Sequence, residues 1–458
     1  MTGLISSLAD LRNYYNSHVT KPFSFRKQQL KLLKQTLFKY DKEIEQALFA
    51  DLNKNREETY ATETGLVLAE INVTLKNLRE WMEPKSAGTN LVNLPSTSKI
   101  YRDPLGVVLI IAPWNYPVQL LLIPLVGAIA GGNCVVLKPS EFAPATDKML
   151  HKIIAEIFPP EFVFYVHGDG SEVVPAMMKN FRFDHVFYTG SIPVGKIIYQ
   201  MAAEKLVPVT LELGGKSPAI IHADADITVA AKRIAFGKFV NTGQTCIAPD
   251  YVLVHNDVKE KFIEKLKETI TKFYSVDASS NYNYGKIINE KRFDKLVSYL
   301  DEGNIVTGGE HNKEKLFIAP TVLDDVSLDS TLMTEEIFGP LLPVITFSTI
   351  EEAMNIVQRN AGPLALYLFT TNKKTEEQWI EKIPFGGGCI NNADWQFTNH
   401  YLPFGGVGNS GIGAYHGKYT FDTFTRLKPV MNTPNWFDPS IKYPPLKGKL
   451  KLFKWVIK

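Results

Sequence analysis

The sequence predicts an α/β protein with two successive units, each built on a parallel sheet covered by helices. Three short runs in the first half are apolar throughout and end in Pro or Gly: VVLIIAP (107–113), CVVLKP (134–139) and HVFYTG (185–190). Strands with continuous rather than alternating apolar residues are buried on both faces, as in parallel sheets. The pattern restarts after VTLELGG (209–215), which indicates a second unit with a boundary near Glu212.

Helical patterns lie before and between these runs, as the crossovers of a parallel sheet require. Apolar residues recur at intervals of three and four with charges between them, which is typical of amphipathic helices. The predicted helices fall within 25–52 and 61–81 before the first strand, at 144–157 and 171–180 in the first unit, and at 224–240, 257–275 and 348–358 in the second, where 251–255 is predicted as a strand.

The most apolar region, 118–137, is interrupted by Pro124 and three glycines, so it predicts a buried helix and a strand rather than a membrane span. The basic and apolar tail 447–458 is too short to cross a bilayer. We expect it to pack against the body or a partner subunit, with weak contact to a membrane surface as the minor alternative.

Composition excludes several classes of protein. At ~150 residues per domain, 458 residues indicate two or three domains. Fifty basic against 48 acidic residues leave a charge of +2, which gives no electrostatic reason to expect nucleic-acid binding. Three scattered cysteines do not make a disulfide framework or a zinc cluster, and no secretion signal is visible, so we expect a cytoplasmic protein without a metal site.

The stretch YTGSIPVGKI (188–197) follows a predicted strand and opens a helix, where free backbone N–H groups can hold a phosphate. Its glycine spacing nearly forms a P-loop, but Ile197 replaces the Ser or Thr that would ligate magnesium. The usual dinucleotide fingerprint also fails, because GDGSEV (168–173) ends in valine. These residues alone do not distinguish a phosphate site from a purely structural turn.

Lys138 and Glu141, in VVLKPSE (135–141), follow a buried strand and would face the crevice at its carboxyl end. Lys138 is suited to ribose hydroxyls or phosphate, and Glu141 to a ribose 2′-hydroxyl, whereas a 2′-phosphate would meet a like charge. The alternative is an exposed turn with two solvated charges.

Asn115 lies in APWNYP (112–117), between two prolines that stiffen the loop. A rigidly held amide can donate to a developing oxyanion, although asparagine is more commonly a turn or capping residue. Glu212, in LELGGKSP (211–218), stands between two leucines before a pair of glycines that allows close approach of a ligand. Apolar surroundings raise a carboxyl pKa, which suits a general base near neutrality; the alternative is a buried acid paired with Lys or Arg.

Cys246 lies in NTGQTCIAPD (241–250), among small and polar residues rather than in an apolar run. Such a loop favours an accessible thiol, and thiols are strong nucleophiles even when only a small fraction is ionised. Cys134, inside an apolar strand, is interpreted as a packing residue, and Cys389, in GGGCINN, is the rival nucleophile. The histidines form no motif that would activate Cys246, so Glu212 is the candidate base, acting directly or through water.

Asn115, Lys138, the loop 189–195, Glu212 and Cys246, in that order, resemble the aldehyde dehydrogenase superfamily. Further matches are EEIFGP (335–340), PFGGVGNSGIG (403–413) and FDTFTRLKP (421–429), so the resemblance covers almost the whole chain. PWNYP, YTGSIPVGK and KYPPLKGKLK (442–451) are most similar to the class 3 branch, the fatty and aromatic aldehyde dehydrogenases. Membrane-bound relatives of that branch carry a further apolar tail, so a soluble form is expected here.

The resemblance implies NAD(P)-dependent oxidation of medium-chain aliphatic or aromatic aldehydes to acids. Cys246 would form a thiohemiacetal and then a thioester, Asn115 and the Cys246 N–H would stabilise the oxyanion, and Glu212 would activate the hydrolytic water. The cofactor is expected to be NAD, with NADP possible. Its contacts are implied to be Trp114, Lys138, Glu141, Thr189, Gly190, Ser191, Ile192, Pro193, Val194, Gly195, Leu213, Gly214, Glu336 and Phe338.

The resemblance also implies three parts and a homodimer. A Rossmann-type cofactor domain would comprise 1–80 and 103–211, and an α/β catalytic domain 212–412. A small β oligomerisation arm with the C-terminal tail would comprise 81–102 and 413–458. Three alternatives are a CoA-acylating dehydrogenase, which Glu212 disfavours; a P-loop-like hydrolase, which Ile197 disfavours; and a non-catalytic relative, which the presence of Asn115, Glu212 and Cys246 disfavours.

Overall fold

The computed structural model describes residues 2–360 and 362–457. Two largely parallel sheets form the body, each with helices packed on its faces, and a small antiparallel sheet projects from it. Each large sheet has buried apolar side chains on both faces. The predicted α/β class with two parallel sheets is confirmed.

The first part of the chain supplies one sheet, its helices and two strands of the projecting sheet. Its helices are α1 (Thr2–Asn16), α2 (Phe23–Lys39), α3 (Asp41–Leu52), α4 (Arg56–Thr59), α5 (Gly65–Met82), α6 (Gln119–Gly131), α7 (Pro144–Ile157), α8 (Gly170–Asn180) and α9 (Ile192–Ala203). Its strands are β1 (Lys85–Ala87), β2 (Thr97–Pro104), β3 (Val107–Ile111), β4 (Cys134–Lys138), β5 (Val163–Tyr165), β6 (His185–Gly190) and β7 (Val209–Leu213).

The rest of the chain supplies the second sheet and then returns to the first. Its strands are β8 (Pro218–Ile221), β9 (Tyr251–His255), β10 (Asn304–Thr307), β11 (His311–Asn312), β12 (Phe317–Ile318), β13 (Thr321–Asp324), β14 (Leu341–Phe347), β15 (Ala365–Phe369), β16 (Gly387–Ile390), β17 (Gly411–Ile412) and β18 (Thr425–Asn432). Its helices are α10 (Ile227–Phe239), α11 (Lys259–Tyr274), α12 (Glu290–Ser298), α13 (Thr331–Thr334), α14 (Ile350–Gln358), α15 (Lys373–Lys382), α16 (Lys418–Thr423) and α17 (Leu450–Val456).

The first sheet has the strand order β17-β7-β6-β3-β4-β5, parallel except for β17. From β3 the chain moves outward to β4 and β5, then crosses back to place β6 and β7 on the other side. The direction reverses between β3 and β6, and the loops after these strands open a crevice at that point. Ligands of open α/β sheets bind at such a switch point.

The second sheet has the order β10-β13-β14-β9-β8-β15-β16, parallel except for β10. The chain passes from the first sheet to the second between β7 and β8, through residues 214–217. Glu212 therefore lies in the last parallel strand of the first sheet, immediately before the crossing. The domain limits given above stay predictions.

Helix α6 explains the most apolar part of the sequence. Every residue from Gln119 to Gly131 is buried, and β4 follows directly, as predicted from the interrupted apolar run. Within residues 2–360 and 362–457, no helix has both the length and the apolar character that crossing a membrane requires.

The C-terminal part returns to the first sheet and completes it. Strand β17 pairs with β7, and β18 pairs along its whole length with β2. Helix α16 packs on α6, and the Glu70 carboxylate accepts hydrogen bonds from Gly417 N (3.0 Å) and Thr420 Oγ1 (2.8 Å). The tail beyond β18 is different, because Leu450 and Trp455 remain exposed on the chain's own surface.

Candidate active site

Asn115 is fixed by hydrogen bonds from two other segments. Its backbone carbonyl accepts from Lys54 Nζ (3.0 Å) and from Asn241 Nδ2 (2.9 Å). Its side-chain Nδ2 donates one proton to the Gln244 carbonyl (3.0 Å), two residues before Cys246. An amide nitrogen has a second proton, which this bond leaves free. The loop after β3 is thus tied to the loop that carries the thiol.

The loop before Cys246 has an unusual backbone. Asn241, Thr242 and Gly243 follow one another with φ values of 51°, 55° and 72°. Left-handed conformations cost about 1–3 kcal/mol each in residues other than glycine, and persist only where the surroundings impose them. A Cβ on Gly243 would lie 2.3 Å from the Gly339 carbonyl oxygen, so the loop also needs a glycine there.

Polar side chains hold this backbone in place. The Glu58 carboxylate accepts from Asn241 N (3.0 Å), and Gln244 Nε2 donates to the carbonyls of Asn241 (3.1 Å) and Lys286 (3.0 Å). Gln244 Oε1 in turn accepts from Ile288 N (3.0 Å). The amides and small residues that precede Cys246 therefore set the course of the loop.

The Cys246 side chain is half-buried and faces acidic groups. Burial raises the pKa of its thiol, and the nearby carboxyls of Glu336, Glu212 and Asp394 raise it further. The thiol is protonated at neutral pH in this environment, so forming the nucleophilic thiolate needs a base or a nearby positive charge. The other cysteines differ: Cys134 is in the core of β4, and Cys389 Sγ lies 3.2 Å from Gln396 Oε1.

Glu212 is buried in β7 without a partner. Its side chain is 3% exposed, and neither carboxyl oxygen has a hydrogen-bond partner among the described residues. Burial raises the pKa of Glu212 well above its ordinary value. The pairing with Lys or Arg that the sequence left open is absent from the described part of the chain. A carboxyl of this kind is suited to proton transfer.

Lys138 and Glu141 form an ion pair at the end of β4. Lys138 Nζ lies 3.0 Å from Glu141 Oε2, and Gly170 N donates to Glu141 Oε1 (3.2 Å). Lys138 is 2% exposed, whereas the Glu141 side chain is 34% exposed. The alternative, an exposed turn with two solvated charges, is therefore wrong for Lys138, which is buried at the edge of the crevice.

The first turn of α9 opens into the same crevice. Ser191, which precedes the helix, makes no side-chain capping bond, so the first N–H groups of α9 have no side-chain acceptor there. Thr189 Oγ1 is also buried, with no hydrogen-bond partner in the described part of the chain. Such a helix start binds phosphate groups. The predicted contacts at the end of β6 and in this turn are Thr189, Gly190, Ser191, Ile192, Pro193, Val194 and Gly195.

The segment after α13 closes the crevice from the second sheet. A Cβ on Gly214 would lie 2.0 Å from Glu336 Oε2, so only glycine allows this carboxyl to lie there. Glu336 Oε1 is buried and has no hydrogen-bond partner among the residues that the structure describes, and burial raises the pKa of Glu336 to about 8. The Phe338 ring meets the Trp114 ring edge-on at 5.4 Å. Leu213 packs beneath Gly195 on the other wall.

These groups fit a dinucleotide. The unpartnered Glu336 oxygen and Lys138 match ribose hydroxyls, and the uncapped start of α9 matches a pyrophosphate. The sequence lacks the usual glycine fingerprint of dinucleotide-binding proteins, but the fold brings these residues together. Among the described residues, no group of His, Cys, Asp and Glu is arranged to hold a metal ion.

A pocket on the other side of Cys246 is lined mainly by apolar and aromatic side chains. Tyr116 and Thr245 hydrogen-bond across it through their hydroxyls (2.6 Å). The lining residues are Thr62, Tyr116, Gln119, Leu120, Thr245, Cys246, Ile247, Asp394, Phe397, Phe404, Tyr415 and His416. Cys246 thus faces a pocket suited to an apolar or aromatic substrate.

Two features of the site were missed by sequence reasoning. Lys54 and Glu63 form a fully buried ion pair (2.9 Å), and Glu63 Oε2 accepts from the N–H groups of Val118 (3.1 Å) and Gln119 (2.8 Å). Asp394 and His416 bring ionisable groups into the substrate pocket. No motif marks these residues, because the contacts that place them in the site, such as those of Glu63 with Val118 and Gln119, join distant parts of the sequence.

Comparison with known proteins shows the family of the chain. The model of the Aldehyde dehydrogenase family matches residues 12–430. The 4,4'-diaponeurosporen-aldehyde dehydrogenase of Staphylococcus aureus (strain NCTC 8325 / PS 47) is 45% identical over 447 residues, which are 97% of this chain and 97% of that protein. Aldehyde dehydrogenase family 3 member H1 of Arabidopsis thaliana is 42% identical over 456 residues, 98% of this chain and 94% of that protein.

A solved structure, the substrate-bound state of Staphylococcus aureus AldH, superposes with a TM-score of 0.97 at 44% identity, covering 99% of both chains. The fold is therefore that of the aldehyde dehydrogenases, and the resemblance noted in the sequence is confirmed. The chain belongs to the aldehyde dehydrogenase family, in its class 3-like branch, and is an NAD(P)-dependent enzyme that oxidises aldehydes to acids.

Proposed function

We propose that the enzyme oxidises medium-chain aliphatic or aromatic aldehydes, with Cys246 as nucleophile, Asn115 as oxyanion donor and Glu212 as base. The observation that carries this proposal is the meeting of a free Asn115 amide proton, a thiol and an unpartnered carboxyl beside one apolar pocket. Acyl transfer through a cysteine needs these three functions together.

In the first step, Cys246 Sγ attacks the carbonyl carbon of the aldehyde. A C–S bond forms, the thiol proton passes to Glu212 directly or through water, and the carbonyl electron pair moves to oxygen. Asn115 Nδ2 and the Cys246 backbone N–H donate to this oxyanion. Donors fixed in advance by other hydrogen bonds, as Asn115 is, stabilise the developing charge without reorganising.

Lys138 and Glu336 would hold the ribose hydroxyls of the dinucleotide, the first turn of α9 its pyrophosphate, and Phe338 with Trp114 its nicotinamide end. When bound, NAD(P)⁺ supplies the two-electron acceptor for the oxidation. The oxyanion collapses to a carbonyl while the former aldehyde C–H bond breaks and its electron pair passes to this acceptor, which leaves a thioester on Cys246.

Glu212 first releases the thiol proton to solvent. In the last step it accepts a proton from water, and the resulting hydroxyl group attacks the thioester carbon. The C–S bond breaks, the carboxylic acid leaves, and Cys246 regains a proton. A CoA-acylating enzyme would not need this base, so an unpartnered Glu212 favours water as the acyl acceptor.

Replacing Cys246 by alanine is expected to abolish turnover, because no other group of the pocket is a comparable nucleophile. The measurement follows the absorbance of reduced nicotinamide with hexanal or benzaldehyde and either NAD or NADP. Cys389→Ala is the matched control and should keep its turnover. Absence of turnover by the unmodified enzyme with every aldehyde and both cofactors would overturn the proposed function.

We propose NAD as the preferred cofactor, because the partly exposed Glu141 would lie beside the ribose 2′-hydroxyl and repel a 2′-phosphate. Glu141→Gln keeps the size and removes the charge. It is expected to raise the NADP-to-NAD ratio of kcat/KM by about tenfold, which is the effect of ~1.4 kcal/mol. Glu156→Gln, an exposed change on α7, serves as control. An unchanged ratio in Glu141→Gln would exclude this role.

We propose a homodimer formed through the projecting sheet. Strand β18 is at its edge, and Leu427, Val430 and Met431 on that strand are exposed. An exposed edge strand with apolar side chains pairs readily with a further strand, and a second copy of the chain would cover both features.

A further inference from the structure

The aldehyde pocket contains two buried polar atoms that nothing in the described structure satisfies. Asp394 is 6% exposed and its Oδ1 has no hydrogen-bond partner. His416 is 5% exposed and its Nε2 has none. Both residues line the pocket that contains Cys246, and the described lining of that pocket includes no Lys or Arg; Lys54 lies behind the Tyr116 ring and pairs with Glu63.

Asp394 is held close to the nucleophile. Its backbone hydrogen-bonds to the Tyr367 hydroxyl, which donates to the carbonyl of Ile247 (2.6 Å), the residue after Cys246. Its Cβ lies close to Gly237 of α10, where an added Cβ would be only 3.2 Å away. Burial without a cation raises the pKa of Asp394 to about 7.

His416 presents a hydrogen-bond acceptor to the same pocket. Its other ring nitrogen hydrogen-bonds to the Phe397 backbone, and its ring stacks on Phe404 with centroids 5.1 Å apart. Burial lowers the pKa of His416 to about 4, so the imidazole is neutral. With the proton on the nitrogen that faces Phe397, Nε2 carries a free lone pair.

A buried hydrogen-bond acceptor that receives no donor costs free energy. A binding site with such an acceptor therefore binds ligands that supply a donor in preference to ligands that lack one. An unsubstituted alkyl or aryl aldehyde would leave both atoms unsatisfied. A substrate with its own hydrogen-bond donor would satisfy them, while its carbon chain packs on the aromatic walls formed by Tyr116, Phe397 and Phe404.

We propose that Asp394 and His416 form an acceptor subsite for a hydroxyl or amino group of the aldehyde, so that the enzyme selects aldehydes bearing a hydrogen-bond donor over plain alkanals of equal size. This inference rests on the proposed function and narrows its substrate class. The hydroxyl and the amino group share the chemistry that the subsite recognises, namely a donor directed at two acceptors.

The test compares kcat/KM for ω-hydroxyalkanals of six to eight carbons with that for alkanals of the same number of heavy atoms. At the best chain length, the hydroxyaldehyde is expected to exceed the alkanal by about tenfold or more. Asp394→Leu should lower this ratio by about 10–100-fold, mainly through KM, and His416→Phe should lower it less. Asp51→Asn, a buried change outside the pocket, should leave the ratio as it is.

Because both substrates are measured on one preparation, the ratio does not depend on the fraction of a variant that folds. ω-Aminoalkanals distinguish the amino group from the hydroxyl as the preferred donor. If Asp394→Asn lowers kcat/KM more for the amine than for the alcohol, the ligand is an ammonium group. An equal decrease in kcat/KM identifies a hydroxyl. A ratio near one at every length, or one unchanged in Asp394→Leu, overturns the subsite. Turnover of the alkanal itself tests the proposed function separately.

Discussion

Replacing Glu212 by glutamine is expected to slow both the formation and the hydrolysis of the acyl intermediate, because Glu212 is the base in both steps. The first equivalent of reduced nicotinamide per Cys246 should form more slowly than in the unmodified enzyme, and steady-state turnover should be slowed ~10²–10⁴-fold, the range attributed to a general base. Rapid mixing with hexanal and NAD measures both phases. Glu156→Gln should show neither effect, and unimpaired steady-state turnover by Glu212→Gln would exclude Glu212 as the base.

The pH dependence follows from the direction of the pKa shift. Burial raises the pKa of Glu212 well above 4.5, so the carboxylate that acts as base is populated only as the pH rises toward that pKa. Steady-state turnover of the unmodified enzyme should therefore increase as the pH rises through this raised pKa, and the part of the increase due to Glu212 should be absent in Glu212→Gln.

The same shift affects stability in the opposite sense. A folded-state pKa above the unfolded value means that the folded protein loses stability as the pH rises from about 4.5 through the folded pKa. In Glu212→Gln, the glutamine amide has no carboxyl proton to lose in this pH range. Its free energy of unfolding, measured with denaturant, should exceed that of the unmodified enzyme at alkaline pH and converge with it below about pH 4.5.

Replacing Lys54 by methionine is expected to damage both stability and catalysis. The Lys54 and Glu63 side chains are fully buried, so the change leaves the carboxylate unpaired, at a cost of about 3–5 kcal/mol in the free energy of unfolding. It also removes the donor to the Asn115 carbonyl. Loss of a positioned oxyanion donor lowers kcat by about 10²–10³-fold, which sets the upper limit of the expected decrease.

Two controls separate these effects. Lys39→Met breaks an exposed pair with Glu156 and should cost less than about 1 kcal/mol. Lys54→Met combined with Glu63→Leu removes both charges, so it should recover much of the stability without recovering kcat. If Lys54→Met changes neither the free energy of unfolding nor kcat, the role assigned to the Lys54–Glu63 pair is contradicted.

The strands were predictable from the sequence because their signal is local. The runs that begin at Val107, Cys134 and His185 are strands β3, β4 and β6, and α7 coincides with the predicted helix. The helix predicted over 61–81 is less regular, because residues 60–64 form a wider π-type turn that contains Glu63. The Glu63 carboxylate accepts hydrogen bonds from the N–H groups of Val118 and Gln119, which are more than fifty residues away in the sequence. Local periodicity cannot predict such a contact.

The sequence also predicts part of the candidate site. Asn115, Glu212 and Lys138 lie in or just after predicted strands, where the carboxyl ends of a parallel sheet converge. Asp394 and His416 come from irregular segments near the end of the chain, with left-handed backbones (φ 66° and 80°) that no periodic pattern predicts. Their position beside Cys246 arises only when the two sheets pack together.

The return of the C-terminal segment to the first sheet also has a consequence for biosynthesis. While the chain emerges from the ribosome, β7 has no neighbour on its outer side until Gly411 and Ile412 appear, and α6 lacks the cover of Thr420. A nascent chain that ends before these residues exposes a strand edge and an apolar helix, both of which promote aggregation. The last tenth of the chain therefore determines when the nucleotide-binding half can finish folding.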